Sequence, residues 1–338
     1  MTVVLGAGSQ LYVQADPGGE NLFGDTDGTL SSGRGGNDRI LIATEPGSTP
    51  AIHGDAYALD GDARGGHDLL VVEGGGLIYG DAAILQGNAR GGSDLIIASG
   101  DDIWIFADGD LVGHARGADD IVRVSGDDAF AIGDGQYFEG AVNGGADLLD
   151  GGNGSQNLYG DSLILAYAGA SQQCGDDRLY GGAGDDVVSG DTRQAWNGTG
   201  GDDRLFGGTG NDTIHGDSDS AGQNGFGPGM SFHCGDDTVV GGAGDDRLFG
   251  DVGLDYADLD LTAGADRFVF RRGGLGDDII GDFQQAVDLI DVRGLGIRAF
   301  ARLDIDEIGS SSVITWANGD TLTVVDVTGL TAGDFIFA

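Results

Sequence analysis

The stretch TGGDDRLFGGTGNDTIHGD (199–217) decides the fold. It sets glycine-rich turns that close on an aspartate, each followed by a short apolar segment. Six residues of the type Gly-Gly-x-Gly-x-Asp make a turn, and the next three, x-apolar-x, make a short strand. Successive side chains of a strand point to opposite faces, so the central apolar residue is the one directed inward. Glycine supplies the positive φ and the close backbone approach that such turns require.

Working outward, one nine-residue block recurs along the chain. It reads RGGNDRILI (34–42), RGGHDLLVV (64–72), RGGSDLIIA (90–98), RGADDIVRV (116–124) and NGGADLLDG (143–151), then QCGDDRLYG (173–181), TGGDDRLFG (199–207), HCGDDTVVG (233–241) and AGADRFVFR (263–271). The aligned aspartates are Asp38, Asp68, Asp94, Asp120, Asp147, Asp177, Asp203, Asp237 and Asp266, at spacings of 30, 26, 26, 27, 30, 26, 34 and 29 residues. A second marker, apolar-x-Gly-Asp, runs in phase: LFGD (22–25), IHGD (52–55), IYGD (78–81), AIGD (131–134), LYGD (158–161), VSGD (188–191), IHGD (214–217) and LFGD (248–251). A third block appears in the C-terminal half: GGAGDDVVS (181–189), GGTGNDTIH (207–215), GGAGDDRLF (241–249) and GGLGDDIIG (273–281). Each unit is therefore close to three nonapeptides. Leu70, Ile96, Val122, Leu179, Val188, Leu205, Ile214, Val239 and Leu248 form the expected inward ladder, which no unit can bury alone.

Composition points to cations. Glycine supplies 69 of 338 residues and proline 4, without the three-residue period of collagen. Asp and Glu number 56 against 16 Lys and Arg, a formal charge of −40 that repels itself in a compact chain. Hydrophobic residues at 40%, recurring in short blocks, argue against simple disorder. Divalent cations among the carboxylates resolve the conflict. No basic face exists to meet nucleic acid. The start, MTVVLGAGSQLYVQAD (1–16), is not a Sec signal peptide, and no run approaches a membrane span.

The Gly-Gly-x-Gly-x-Asp-x-apolar-x pattern resembles the RTX, or haemolysin-type, calcium-binding repeat over almost the whole chain. The resemblance implies an all-β fold: a parallel β-roll or β-solenoid of calcium-binding nonapeptides over 1–262, looser in 1–150 and regular in 151–262. A last coil and a small antiparallel cap then occupy 263–338. A two-sided roll uses one and a half coils per unit, and the resemblance favours it. A three-sided helix uses one coil per unit, and the period near 26–27 keeps it open, particularly over 30–150.

The resemblance also implies several calcium ions, each lying between turns of adjacent coils. Calcium takes six to eight oxygen ligands from carboxylates and carbonyls. The best ligands by this reading are Asp177, Asp186, Asp203, Asp212, Asp237 and Asp246. Asp38, Asp55, Asp68, Asp81, Asp94, Asp120, Asp147, Asp161, Asp191, Asp217, Asp251 and Asp278 complete the expected set. Within 44–54 and 72–80 the middle aspartate is missing. Asp102 and Asp128 partly restore it, so fewer sites of the regular kind are expected before about residue 150.

Cys174 and Cys234 occupy equivalent points two units apart, free or bridged. Loops thrown out of the solenoid are expected in 217–235 and, less strongly, in 161–175. The N-terminal coil (3–16) has no evident cap. The segment 263–296 looks like the end of the roll in secreted RTX proteases and alginate epimerases. SSSVITWANGDTLTVVDV (310–327) reads as two strands around Asn318-Gly319, covering the last coil. The tail TAGDFIFA (331–338) resembles a type I secretion signal and is equally compatible with a final strand.

No His-Glu-x-x-His, Gly-x-Ser-x-Gly or P-loop motif is present, and His53, His67, His114, His215 and His233 are scattered. An ice-binding Thr ladder is confined to GTGND (208–212). The expectation is a non-enzymatic, secreted protein, extracellular or at the cell surface, that self-associates or joins cell-surface or matrix components. The alternative is a carbohydrate-associated or host-interaction module, with Trp104, Trp196 and Trp316 as sugar platforms or packing residues.

Overall fold

Leu70 pairs in parallel with Ile40 on one side and with Ile96 on the other, so each strand meets its equivalent one whole unit away. The computed structural model describes residues 21–44, 49–165, 172–222, 231–255, 260–273 and 275–338, with the backbone alone at 3–4, 11–15 and 255. One unit makes one coil. In the coil that begins at Gly76–Tyr79, the chain turns at Gly80-Asp81 into Ala82–Gly87, returns through the bridge residue Arg90, and turns at Gly91–Asp94 into Leu95–Ser99.

Among the described residues the stacked coils give four sheets. Sheet I has 14 strands, including Gly76–Tyr79, and sheet II has 12, including Leu95–Ser99. Sheet III has nine, including Ala82–Gly87. Sheet IV has three: Gly198–Thr199, Ser231–His233 and Asp260–Thr262. Isolated bridges from Arg34 to Arg64, Arg90 and Arg116 carry its line toward the N-terminus.

Sheets I and II enclose one core. Ile52, Ile78, Leu158, Val188, Ile214 and Leu248 from sheet I meet Ile40, Leu70, Ile96, Val122, Leu179, Leu205 and Val239 from sheet II. The expected inward ladder is buried throughout. Sheet III and the bridge line enclose a second core of Ala56, Leu59, Ala63, Ala82, Leu85, Ala89, Leu111, Ala115, Phe138 and Val142. The cross-section therefore has two lobes joined by a waist, formed by the Gly-Asp corner on one side and the Gly-Gly-x-Asp corner on the other.

Of the two coil counts left open, one coil per unit is the one found, not the one and a half that the resemblance favoured. Sheets I and II are the two faces of a roll, but each unit makes one coil rather than one and a half. The residues between the two waist corners carry their own inward apolar positions, such as Ala82, Leu85 and Ala89. They fold as a third strand over a second core instead of closing a tight turn.

At the C-terminal end, Asp304–Ile308, Ser311–Thr315 and Thr321–Val324 form an antiparallel meander turning at Gly319, whose φ is 101°. Thr321–Val324 adds in parallel to Asp278–Ile280 and covers that edge of sheet I. The tail contributes Phe335–Ile336 to sheet II beside Leu289–Gly294, after a turn in which Thr331 and Asp334 cap each other. Ile314, Trp316, Leu322, Val324 and Phe335 extend the first core over the last coil. The tail is thus a final strand.

Of the expected excursions, 166–171 and 223–230 lie outside the described residues, as does most of the N-terminal coil beyond Val3–Val4 and Leu11–Ala15. Among the described residues no helix is long and apolar enough to cross a membrane.

One coil per unit predicts a phase rule for deletions. Removing residues 90–115 joins Ala89 to Arg116 and takes out one whole coil. The shortened chain should keep β-structure in calcium by circular dichroism, with a modest loss of stability. Removing 98–115, two nonapeptides, takes out Ile103–Phe106 and Asp110–Gly113 but leaves the bridge at Arg116, so one coil loses its sheet I and sheet III strands and the loss of stability should be much larger. The reverse outcome would restore the roll of one and a half coils per unit.

Candidate metal centres

The waist is lined on both sides by aspartate. On one side Asp38, Asp68, Asp94, Asp120, Asp147, Asp177, Asp203, Asp237 and Asp266 stack in line. The backbone N–H of each donates to Oδ1 of the next, as from Asp68 to Asp94 at 2.7 Å, Asp94 to Asp120 at 2.6 Å and Asp203 to Asp237 at 2.7 Å. The line ends where Asp266 donates to Asp288 at 3.0 Å. On the other side stand Asp25, Asp55, Asp81, Asp108, Asp134, Asp161, Asp191, Asp217 and Asp251. They accept from the facing corner, as Asp55 does from Gly66 at 2.7 Å, Asp81 from Gly92 at 2.8 Å and Asp191 from Gly201 at 2.9 Å.

A third ladder lies at the outer turn between sheets II and I. Gln156, Asp186, Asp212, Asp246 and Asp278 are linked N–H to side-chain oxygen at 2.8, 3.0, 2.9 and 3.0 Å. Glycine fills most of the positions beside these columns because the space there is tight. A β-carbon on Gly54 would sit 2.1 Å from Asp68 Oδ2 and 1.7 Å from the Gly80 carbonyl oxygen.

The hydrogen bonds use only part of each carboxylate. Oδ2 of Asp68, Asp94, Asp120, Asp147, Asp177, Asp203, Asp237 and Asp266 is buried and accepts nothing. The same holds for Oδ1 of Asp55, Asp81 and Asp108 and for Oδ2 of Asp191 and Asp217 across the waist. It holds again for Oδ2 of Asp186, Asp212 and Asp246 at the outer turn. Among the described residues no Lys or Arg forms an ion pair with Asp68 through Asp266 of the first column. The arginine pairs, from Arg267 and Arg293, go to Asp291 instead.

An ionised carboxylate buried without a partner is costly. Strand-to-strand spacing brings the next one within about 4.8 Å. At an effective dielectric near 20 each such neighbour adds roughly 3–4 kcal/mol of repulsion. Burial, followed by neighbouring carboxylates, pushes Asp68 up to about 9. Burial is also the first cause that raises Asp55 to about 7, and it drives Asp81, Asp94, Asp120, Asp147, Asp203, Asp217 and Asp237 well above the usual range. At the outer turn burial raises Asp186 to about 6 and Asp212 and Asp246 to about 7. Divalent cations remove both penalties at once. An all-oxygen environment of carboxylates and backbone carbonyls suits a hard ion, and the residues present fit calcium. Asp25, Asp38 and Asp55 illustrate the grouping: one ligand atom from each lies within 4.8 Å of the others.

Every aspartate expected from the repeat falls in a ladder. Asp38, Asp68, Asp94, Asp120, Asp147, Asp177, Asp203 and Asp237 form one side of the waist. Asp55, Asp81, Asp161, Asp191, Asp217 and Asp251 form the other. Asp186, Asp212, Asp246 and Asp278 form the outer turn. Asp25, Asp134 and Asp266 stand in the same aligned registers and belong with them. Asp108 was hidden because Ala107 takes the glycine place of the apolar-x-Gly-Asp marker.

One expectation is corrected and another is narrowed. Asp102 and Asp128 do not restore the outer-turn ladder: both are exposed, at φ of 56°. The inward slot is filled by the next residues, Ile103 and Ala129, in register with Gln156 and hence with Asp186. The sparser N-terminal half therefore holds for the outer turn alone, because both waist columns continue through it. Cys174 and Cys234 are free, not bridged.

Acidity should act in opposite directions with and without calcium. A carboxylate whose folded pKa is raised stabilises the fold below its unfolded value of about 4, and that contribution is lost as pH rises through the folded value. The raised values cited run from about 6 to about 9. In chelator, β-structure should therefore diminish between pH about 5 and about 9. In calcium the carboxylates must ionise to bind, so the calcium midpoint should fall over the same range. A chelated chain equally structured at both ends of that range by circular dichroism would contradict this. Asp203→Asn should raise the calcium midpoint several-fold, and Asp102→Asn should leave it unchanged.

The family model described as the RTX calcium-binding nonapeptide repeat, in 4 copies, matches residues 175–192, 197–220 and 235–257. No curated protein matches the chain. The matched segments are the ones in which the outer-turn ladder stands beside the two waist columns. Residues 175–257 thus carry RTX calcium-binding nonapeptide repeats, wound into a solenoid whose waist columns run on toward both ends of the chain.

Proposed function

We propose that the protein is exported by the type I pathway, folds on meeting extracellular calcium, and serves there as a structural, self-associating or adhesion component rather than an enzyme. The observation that carries this reading is the set of buried, unpartnered carboxylate oxygens along the coils. Such a chain is poorly stable where calcium is scarce and gains stability by mass action where it is plentiful. That coupling suits a protein that crosses a membrane unfolded and folds outside.

A Ser189–His215–Asp219 grouping on the outer face of sheet I lacks the order of a nucleophile relay. Ser189 Oγ and Asp219 Oδ1 both reach the same ring nitrogen, His215 Nδ1, at 3.2 and 3.0 Å. A relay places the nucleophile and the orienting carboxylate on different nitrogens.

A second reading, carbohydrate association, rests on Trp104. Its ring is 36% exposed and stacks on Phe130 at 4.1 Å, beside a cleft lined by Gln136, Arg193, Gln194 and Ser220. Trp196 and Trp316 are buried in the two cores and act in packing.

Light scattering in calcium should give a mass above that of the 34.2 kDa monomer, returning to the monomer or an expanded chain in chelator. A strictly monomeric mass in calcium would overturn self-association. If carbohydrate association holds, Trp104→Ala should lose retention on a polysaccharide affinity gel while its calcium-dependent circular dichroism stays unchanged. Undiminished retention would remove that reading.

A further inference from the structure

In most coils the waist corner next to the carboxylates is glycine: Gly35, Gly65, Gly91, Gly117, Gly144 and Gly200. The reason is steric. A β-carbon on Gly65 would stand 1.7 Å from Asp81 Oδ1, and one on Gly144 would stand 1.6 Å from Asp161 Oδ1. In two coils the same slot holds Cys174 and Cys234, with the glycine coil of Gly200 between them. Each thiol therefore enters the carboxylate column itself. One ligand atom each from Asp161, Cys174 and Asp191 lie within 4.8 Å of one another, and so do those from Asp217, Cys234 and Asp251.

An independent observation marks both groups as ligand sites. Asp191 and Asp217 are fully buried, and Oδ2 of each takes no N–H or O–H donor; the group that faces each carboxylate is the thiol, Cys174 for Asp191 and Cys234 for Asp217. The other carboxylates are already oriented. Asp161 accepts from the Gly175 N–H at 2.9 and 3.1 Å. Asp251 accepts from Gly264 at 2.6 Å through Oδ1 and from Gln284 at 3.0 Å through Oδ2. Filling space does not account for cysteine here. The last coil puts Ala263 in the same slot, so an apolar methyl is accommodated without a sulfur.

We propose that Cys174 with Asp161 and Asp191, and Cys234 with Asp217 and Asp251, form two binding sites for a thiophilic divalent cation such as Zn²⁺ or Cd²⁺ within a column that otherwise takes calcium. The choice of ion follows from the donors. Calcium takes oxygen ligands, whereas a thiolate with carboxylates suits a borderline or soft ion. On binding, the S–H bond breaks, its proton passes to solvent, and a sulfur–metal bond forms without change of oxidation state. Burial and the flanking carboxylates raise both thiols, so they are protonated until the metal arrives. The inference rests on the reading that the waist holds cations.

The test is a Cd²⁺ titration of the calcium-loaded full chain, followed by the ultraviolet thiolate-to-cadmium absorption band and by circular dichroism on the same samples. The wild type should develop the band with two equivalents of Cd²⁺. Cys174→Gly and Cys234→Gly restore the slot's commoner residue. Each should lose half of the amplitude, and the double variant should lose all of it. Cys174→Ala and Cys234→Ala, which copy the residue at Ala263, serve the same purpose should a glycine variant fail to fold. Absence of the band in a calcium-folded wild type, or full amplitude after either single substitution, would overturn the inference. Failure of calcium to fold the wild type at all would instead overturn the calcium reading on which it depends.

Discussion

The structure depends on one electrostatic constraint: carboxylates stacked at strand spacing in places that water does not reach. Each ladder aspartate spends one oxygen on a backbone N–H of its own or a neighbouring coil, which fixes the register. On most of them the other oxygen is left for something the chain does not supply, whereas Asp134, Asp161 and Asp251 engage both oxygens. Apolar ladders on either side of the waist hold the coils in contact, but they also exclude the solvent that would screen the charges. Without cations or protons the two requirements oppose each other, so the fold and its metal occupancy form a single equilibrium.

The two-lobed cross-section follows from the same constraint. Sheets I and II make a roll with one tight turn, where Asp186, Asp212, Asp246 and Asp278 stack. On the other side the turn is opened into sheet III and its own core. Opening it sets two aspartates per coil face to face instead of one, so the waist has twice the carboxylate density of the outer turn.

Much of this was legible in the sequence, because the repeat ties local chemistry to position. The phased aspartates from Asp38 to Asp278 all reach ladders, and the inward residues from Leu70 to Leu248 all reach the core. The hairpin at Asn318-Gly319 and its covering role follow from turn chemistry alone. Two things were not legible. The number of coils per unit depends on whether Ala82, Leu85 and Ala89 line a turn or a second core, and spacing alone does not distinguish these. The roles of Asp102 and Asp128 turned on a single-residue offset. In a strand, one position decides whether a side chain faces core or solvent, and Ile103 and Ala129 take the inward place. Asp108 was lost to a motif broken at Ala107, although its phase with Asp81 and Asp134 marks it.

The most direct measurement is the anomalous diffraction of calcium in crystals grown with the ion. The account predicts a column of peaks along the waist, between the two aspartate lines from the first described coil to that of Asp266. A second, shorter column should follow the outer turn, beginning near Asp186. Peaks confined to the outer turns of 175–257, with an ion-free waist, would contradict it.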